Sequence, residues 1–176
     1  MKRLAMFVLA ASCISACAGD SPAAPSLGQA AQVAGVWRGT ATTASVSGGE
    51  CFASVFQTFV GGSGAVSMTL TQNGTNVTAT VPGSDGTSTN TYTGTVGASA
   101  LTLNSTTCAT CDAIGAPCPT GGAVRDVKLQ SSNITGTVNG NTLSGTETET
   151  YNVLVAGTTT SVGTLSISDT FSLTRQ

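Results

Sequence analysis

The sequence predicts an all-β protein, an antiparallel up-and-down barrel of about eight strands with one short helix after the first strand. Three observations lead there. Thr, Ser, Asn and Gly fill the polar positions of a chain with only 8% charged residues, a strand-and-turn composition. Apolar side chains alternate with hydroxyls along most of the chain, the period of a sheet with one buried face. Short Gly- and Asn-rich turns separate these runs, and a meander of this size loses its free edges by closing on itself. A two-sheet β-sandwich is the alternative.

Taken in order, the first strand spans about 33–43 and holds the single Trp of the chain, Trp37, in Val33-Ala34-Gly35-Val36-Trp37. Ser47-Gly48-Gly49-Glu50 has capping-box spacing. Phe52, Val55, Phe56, Phe59 and Val60 then recur at helical spacing before Gly61-Gly62, so a short helix is expected at about 50–60, with a further strand as its rival. Val66, Met68 and Leu70 alternate on strand two, and Asn73-Gly74 turns it into Val77, Ala79 and Val81 on strand three. Pro82-Gly83 ends that run. Tyr92, Gly94 and Val96 make strand four, and Leu101 and Leu103 make strand five. A long loop covers about 107–123. Strand six spans about 124–138, and its apolar phase changes between Leu129 and Ile134, which predicts a bulge near Ser131-Ser132. Strands seven and eight follow at about 142–156 and 162–175. Inward Gly94, Gly136 and Gly145 are expected to leave room inside.

Ahead of the barrel domain, assigned to 33–176, the chain begins with Met1-Lys2-Arg3 and the apolar run Leu4–Ala11, too short to span a bilayer. Ile14-Ser15-Ala16-Cys17 resembles the lipobox of bacterial lipoproteins; Ala10-Ala11-Ser12-Cys13 is a second, weaker match. The resemblance implies a signal peptide over 1–16, lipidation of Cys17, and attachment to the cell envelope, with Ala18 fitting the outer membrane. Several acyl chains, at about 0.8 kcal/mol per buried CH₂, suffice for stable anchoring. Residues 17–32, with Pro22 and Pro25, read as the lipidated Cys and a flexible tether.

Gly35-Val36-Trp37 on a first strand, with Arg175 at the end of a last one, is similar to the lipocalin and wider calycin pattern. There the Trp closes the barrel base and an Arg packs across it. That resemblance implies a cavity for a small apolar or amphipathic ligand. The other expectation is a non-enzymatic structural or surface interaction module with a filled core. An indole beside a guanidinium is in either case a reasonable cation–π pair.

Four cysteines follow the tether: Cys51, Cys108, Cys111 and Cys118. In an exported protein they imply two disulfides, and the expected pairs are Cys51–Cys108 and Cys111–Cys118. The chain has no His, so the commonest general base and metal ligand are missing, and neither an enzyme, a metal site nor a cofactor is expected. A net charge of −2 without a basic cluster speaks against nucleic acid as a partner. The one anomaly lies in the last two strands. Glu147, Glu149 and Tyr151 share the apolar face of strand seven, and Asp169 shares that of strand eight. With the hairpin turning near 157–161, Glu149 falls opposite Asp169, both pointing inward. Like charges so placed repel. They serve either a polar ligand or a hard cation such as Ca²⁺, or they sit at a solvated barrel mouth, or a bulge turns them outward. The candidate ligand residues are thus Trp37, Glu147, Glu149, Tyr151, Asp169 and Arg175.

Overall fold

The computed structural model describes residues 28–82, 89–105, 114–118 and 124–176. The leader, Cys17 and the tether up to residue 27 lie outside the described residues, as do Cys108 and Cys111. The strands are β1 (Gly35–Gly48), β2 (Ser63–Asn73), β3 (Asn76–Pro82), β4 (Thr89–Val96), β5 (Ala100–Ser105), β6 (Ile114–Pro117), β7 (Val124–Asn139), β8 (Thr142–Val155) and β9 (Ser161–Arg175). All pairings are antiparallel, in the order β5-β4-β3-β2-β1-β9-β8-β7-β6. Pairing of β5 with β7, from Ala100↔Thr137 to Ser105↔Ser132, closes eight of the strands into a barrel.

The ninth strand, β6, falls inside the expected loop. One edge of β7 is taken by β8 along its length. β5 uses the other edge only as far as Ser132, and β6 fills the remainder by pairing Ile114 with Val127 and Pro117 with Val124. Four residues are too few to show alternation, so only the vacant edge reveals the strand. The expected bulge in β7 is present, between Leu129 and Ser131.

β1 is longer than the alternation indicated. A second bulge between Thr43 and Ser45 lets it continue beyond β2 and pair with β9 as far as Gly48↔Leu165. The short helical segment after it is a sequence of single turns, Glu50–Phe52, Ala53–Phe56 and Gln57–Phe59, of which only the middle one is α-helical. Gly48, Gly49 and Gly61 in left-handed conformations confine it to these ten residues. The capping role expected of Glu50 falls on a side chain outside the described ones. Both ends are stitched to the barrel: Gly49 N–H donates to Thr164 (2.7 Å), Gly61 N–H donates to Thr43 (2.8 Å), and Gln57 Nε2 donates to Val46 C=O (2.6 Å).

The interior has two compartments. Where all eight strands close, a core built on Trp37, Met68, Leu70, Tyr92, Leu101, Leu103, Ile134, Leu143 and Leu173 fills the barrel. The chain ahead of β1 seals its base, with Ala30 and Ala31 already packed on that core. Val33 N–H donates to Gln72 Oε1 (2.7 Å), and Ala31 N–H donates to Gly97 C=O (2.8 Å). A smaller cluster, Val46, Phe52, Val153 and Leu165, lies where β1, β7, β8 and β9 outrun the shorter strands, and the helical segment covers it. Inward glycines leave no room in the first compartment. A Cβ on Gly94 would lie 1.9 Å from the Thr102 carbonyl oxygen, and one on Gly145 2.0 Å from that of Thr135. Neighbouring backbone occupies the space that a side chain would need, as at a sharp bend in a small barrel.

The disulfide joins Cys51 to Cys118, 67 residues apart. Neither expected pair forms, because each uses one of these two sulfurs. The reason is β6. Pairing along the β7 edge carries the end of this strand to the helical segment, and Cys118 follows it directly.

Candidate functional site

Alternation along β8 turns Gly145, Glu147, Glu149, Tyr151 and Val153 to the inside, and Asp169 follows on β9 between Ile167 and Phe171. The three carboxylates therefore lie between the two apolar compartments. Their register differs from the expected one: Glu147, not Glu149, is opposite Asp169, and Glu149 is opposite Ile167. The β8–β9 turn begins one residue earlier than assumed, and a bulge where Val153 pairs with Gly163 and Leu154 with Ser161 completes the shift. Val155 N–H donates to Thr160 C=O, with Gly157 at φ 70° between them, and moving the centre of a hairpin by one residue moves every partner by two.

Glu147 belongs to the filled compartment. Its Oε1 accepts hydrogen bonds from the Tyr92 hydroxyl (2.8 Å) and from Ser132 Oγ (2.7 Å), both donors being buried. Glu149 accepts one from Tyr151 (2.7 Å). Burial pushes the phenols of Tyr92 and Tyr151 well above the ordinary tyrosine range, and the nearby carboxylates push them further. Both remain donors at any physiological pH. Asp169 differs from its neighbours: Oδ1 is shielded from solvent and has no hydrogen-bond partner.

Burial also pushes the Glu149 carboxyl up to about 7, with Glu147 and Asp169 adding to the rise and the Tyr151 hydroxyl opposing it. A carboxyl that holds its proton more tightly folded than unfolded stabilises the fold at low pH, and loses that contribution as pH rises from the unfolded value towards 7. The urea midpoint is therefore expected to fall between pH 5 and pH 8. Glu149→Gln, with no charge to bury, flattens the profile and exceeds wild type at pH 8 by up to about 3 kcal/mol. Parallel profiles for the two proteins would show that Glu149 is not the group responsible.

A cavity of about 280 Å³ opens beside these carboxylates, lined by Thr43, Val46, Phe56, Phe59, Glu149, Ile167 and Asp169. It lies at the end covered by the helical segment. Phe56 and Phe59 come from that segment, with ring centroids 6.0 Å apart, and Phe59 is 55% exposed. Of the six residues expected to meet a ligand, only Glu149 and Asp169 line this cavity. Tyr151 stands behind Glu149. Trp37 and Arg175 are cross-strand partners near the opposite end of β1, with the guanidinium 4.8 Å from the centre of the ring. Trp37 is fully buried, its Nε1 donating to Val33 C=O (2.8 Å), and Arg175 Nη2 donates to Gln32 C=O. That pair closes the base and reaches no cavity lining.

The lining residues that sequence reasoning missed are Thr43, Val46, Phe56, Phe59 and Ile167. Phe56 and Phe59 carried a signal in the helical apolar repeat, whose face was expected to cover the sheet; Phe56 packs on the smaller cluster and Phe59 stays 55% exposed. Among the described residues, no three His, Cys, Asp or Glu side chains are grouped so as to hold a metal ion. Comparison with protein families, with curated proteins and with solved structures finds no match to this chain.

Proposed function

We propose that this chain is a bacterial envelope lipoprotein, anchored through lipid on Cys17, whose barrel binds a small amphipathic ligand in the cavity under the helical segment. The cavity carries this reading. The closed half of the barrel is packed with side chains, whereas the covered half holds about 280 Å³ bounded by mostly apolar side chains, Thr43 and two carboxylates. That volume lies just below the usual range of about 300–1,000 Å³ for drug-sized ligands, so the occupant is a small molecule. The lipobox-like Ile14-Ser15-Ala16-Cys17 and the Pro-containing tether support the anchoring. The role is binding and not catalysis: the chain has no His, and Glu147 and Glu149 are held by tyrosine hydroxyls.

The filled half supports a second reading, a structural module that presents its outer face to a partner. Thr135, Thr146, Thr170 and Thr42 form one uncharged row across β7, β8, β9 and β1 on that face. Two experiments on the full-length chain decide. In a Gram-negative host fed labelled palmitate, wild type is expected to incorporate label and Cys17→Ala to lose it; equal labelling would remove the anchor. In calorimetry on the membrane-extracted protein, the neutral probe 2-phenylethanol is expected to bind saturably, and Ile167→Trp, which fills the cavity, to abolish binding. No saturable heat from any small probe would favour the structural module.

A further inference from the structure

Two carboxylates line the cavity and, among the described residues, no Lys or Arg does. Among the described residues, Arg175 packs on Trp37 at the base, and Arg38 and Lys128 are exposed. Glu149 keeps one hydroxyl donor, from Tyr151, while Asp169 Oδ1 is out of solvent with none. A buried acceptor without a donor is a standing cost to the fold, relieved when a bound molecule supplies the missing N–H. Apart from Thr43, the remaining walls are apolar or aromatic, and Phe56 and Phe59 present two tilted rings at the covered side. Aromatic faces attract cations most strongly where water is excluded.

We propose that the occupant is a small organic cation, an amine with an apolar body, whose head group sits between Glu149 and Asp169 and whose body lies against Val46, Ile167, Phe56 and Phe59. This rests on the cavity being a ligand site. An anion is repelled by both carboxylates. A bare metal ion would waste the apolar half of the lining and would find two carboxylates where a hard cation seeks six or more oxygens. An ammonium needs only the charge and a few acceptors, and its hydrocarbon body buries the rest. The cation also draws the proton from Glu149, so the charge that destabilises the empty site becomes the charge that holds the ligand.

Calorimetry on the full-length protein at pH 8 tests this with three probes that share a phenylethyl body: 2-phenylethylamine, 2-phenylethanol and phenylacetate. The amine is expected to bind about ten-fold or more tightly than the alcohol, a difference of about 1.4 kcal/mol, and phenylacetate not at all. Glu149→Gln and Asp169→Asn are each expected to weaken the amine while leaving the alcohol unchanged, and the double variant to bind the two alike. Because Glu149→Gln is expected to be the more stable protein at this pH, its loss of amine binding cannot arise from unfolding. Equal affinity of amine and alcohol in wild type overturns the cation proposal and leaves the cavity as a ligand site. Saturable calcium binding that both carboxylate variants remove, with no amine preference, overturns it in favour of a metal. No binding of any probe overturns both the proposal and the site it rests on.

Discussion

Trp37→Ala is expected to cost about 3–5 kcal/mol, near the upper end of what truncating a buried aromatic removes. The indole is wholly inaccessible within the core of the closed half, and Trp37 stands opposite Met68 on β2 and Arg175 on β9. Its loss does more than leave a cavity. Val33 C=O loses the Nε1 donor that ties the entering chain to β1, and the Arg175 guanidinium loses the ring beneath it. Arg175 Nε is already buried without a hydrogen-bond partner, so that cation would be left with poorer compensation still. Trp37→Phe keeps most of the volume but not the N–H, and is expected to cost about 1–3 kcal/mol, the range for an orphaned buried acceptor and a smaller ring. Because Trp37 is the only Trp, the comparison uses urea unfolding followed by far-ultraviolet circular dichroism. A Trp37→Ala protein within 1 kcal/mol of wild type would show that the base is sealed without the indole, against the order of magnitude set by other cores.

Removing the Cys51–Cys118 bridge is expected to cost about 4 kcal/mol, from the chain entropy that a closed loop of this length withholds from the unfolded state. The effect has a local part as well. The bridge ties the helical segment, through Cys51, to the end of β6, and this segment supplies two of the cavity walls. The double variant Cys51→Ala/Cys118→Ala should therefore show a lower urea midpoint and faster amide exchange over residues 50–59, while exchange in the filled half changes little. Replacing both cysteines avoids leaving a single thiol free to exchange with Cys108 or Cys111. A peptide map of the oxidised protein should join the peptides containing Cys51 and Cys118. Recovery of a Cys51–Cys108 peptide, or an unchanged midpoint in the double variant, would refute the bridge as the staple of this end.

The cavity chemistry and the stability predictions are linked through Glu149. Its carboxyl is the point at which packing conflicts with charge, since burial favours the protonated form that a binding site for a cation would have to give up. Such local conflicts mark positions retained for something other than stability. The row of Glu147, Glu149 and Tyr151 was visible in the alternation of β8, because a period of two assigns each residue to a face without knowledge of its partners. What alternation could not say is which residue stands across the sheet. That depended on a turn placed one residue earlier than expected, with Gly157 at positive φ in it, and on a bulge between Val153 and Leu154.

The division between what the chain determines alone and what the folded molecule decides follows range. Most strand positions, the inward faces, the bulge in β7 and the helical segment came from local rules: period, turn residues and glycine stops. The closed barrel followed as well, because an antiparallel meander of one-faced strands has few other ways to bury its edges. Closure through β5 and β7, the four-residue β6, the Cys51–Cys118 pair and the cavity were decided only by the tertiary structure. Each depends on where one strand runs past its neighbour: β1 beyond β2, and β7 beyond β5. Strand overhang is a difference between two lengths read at a shared register, and no single stretch of sequence contains it.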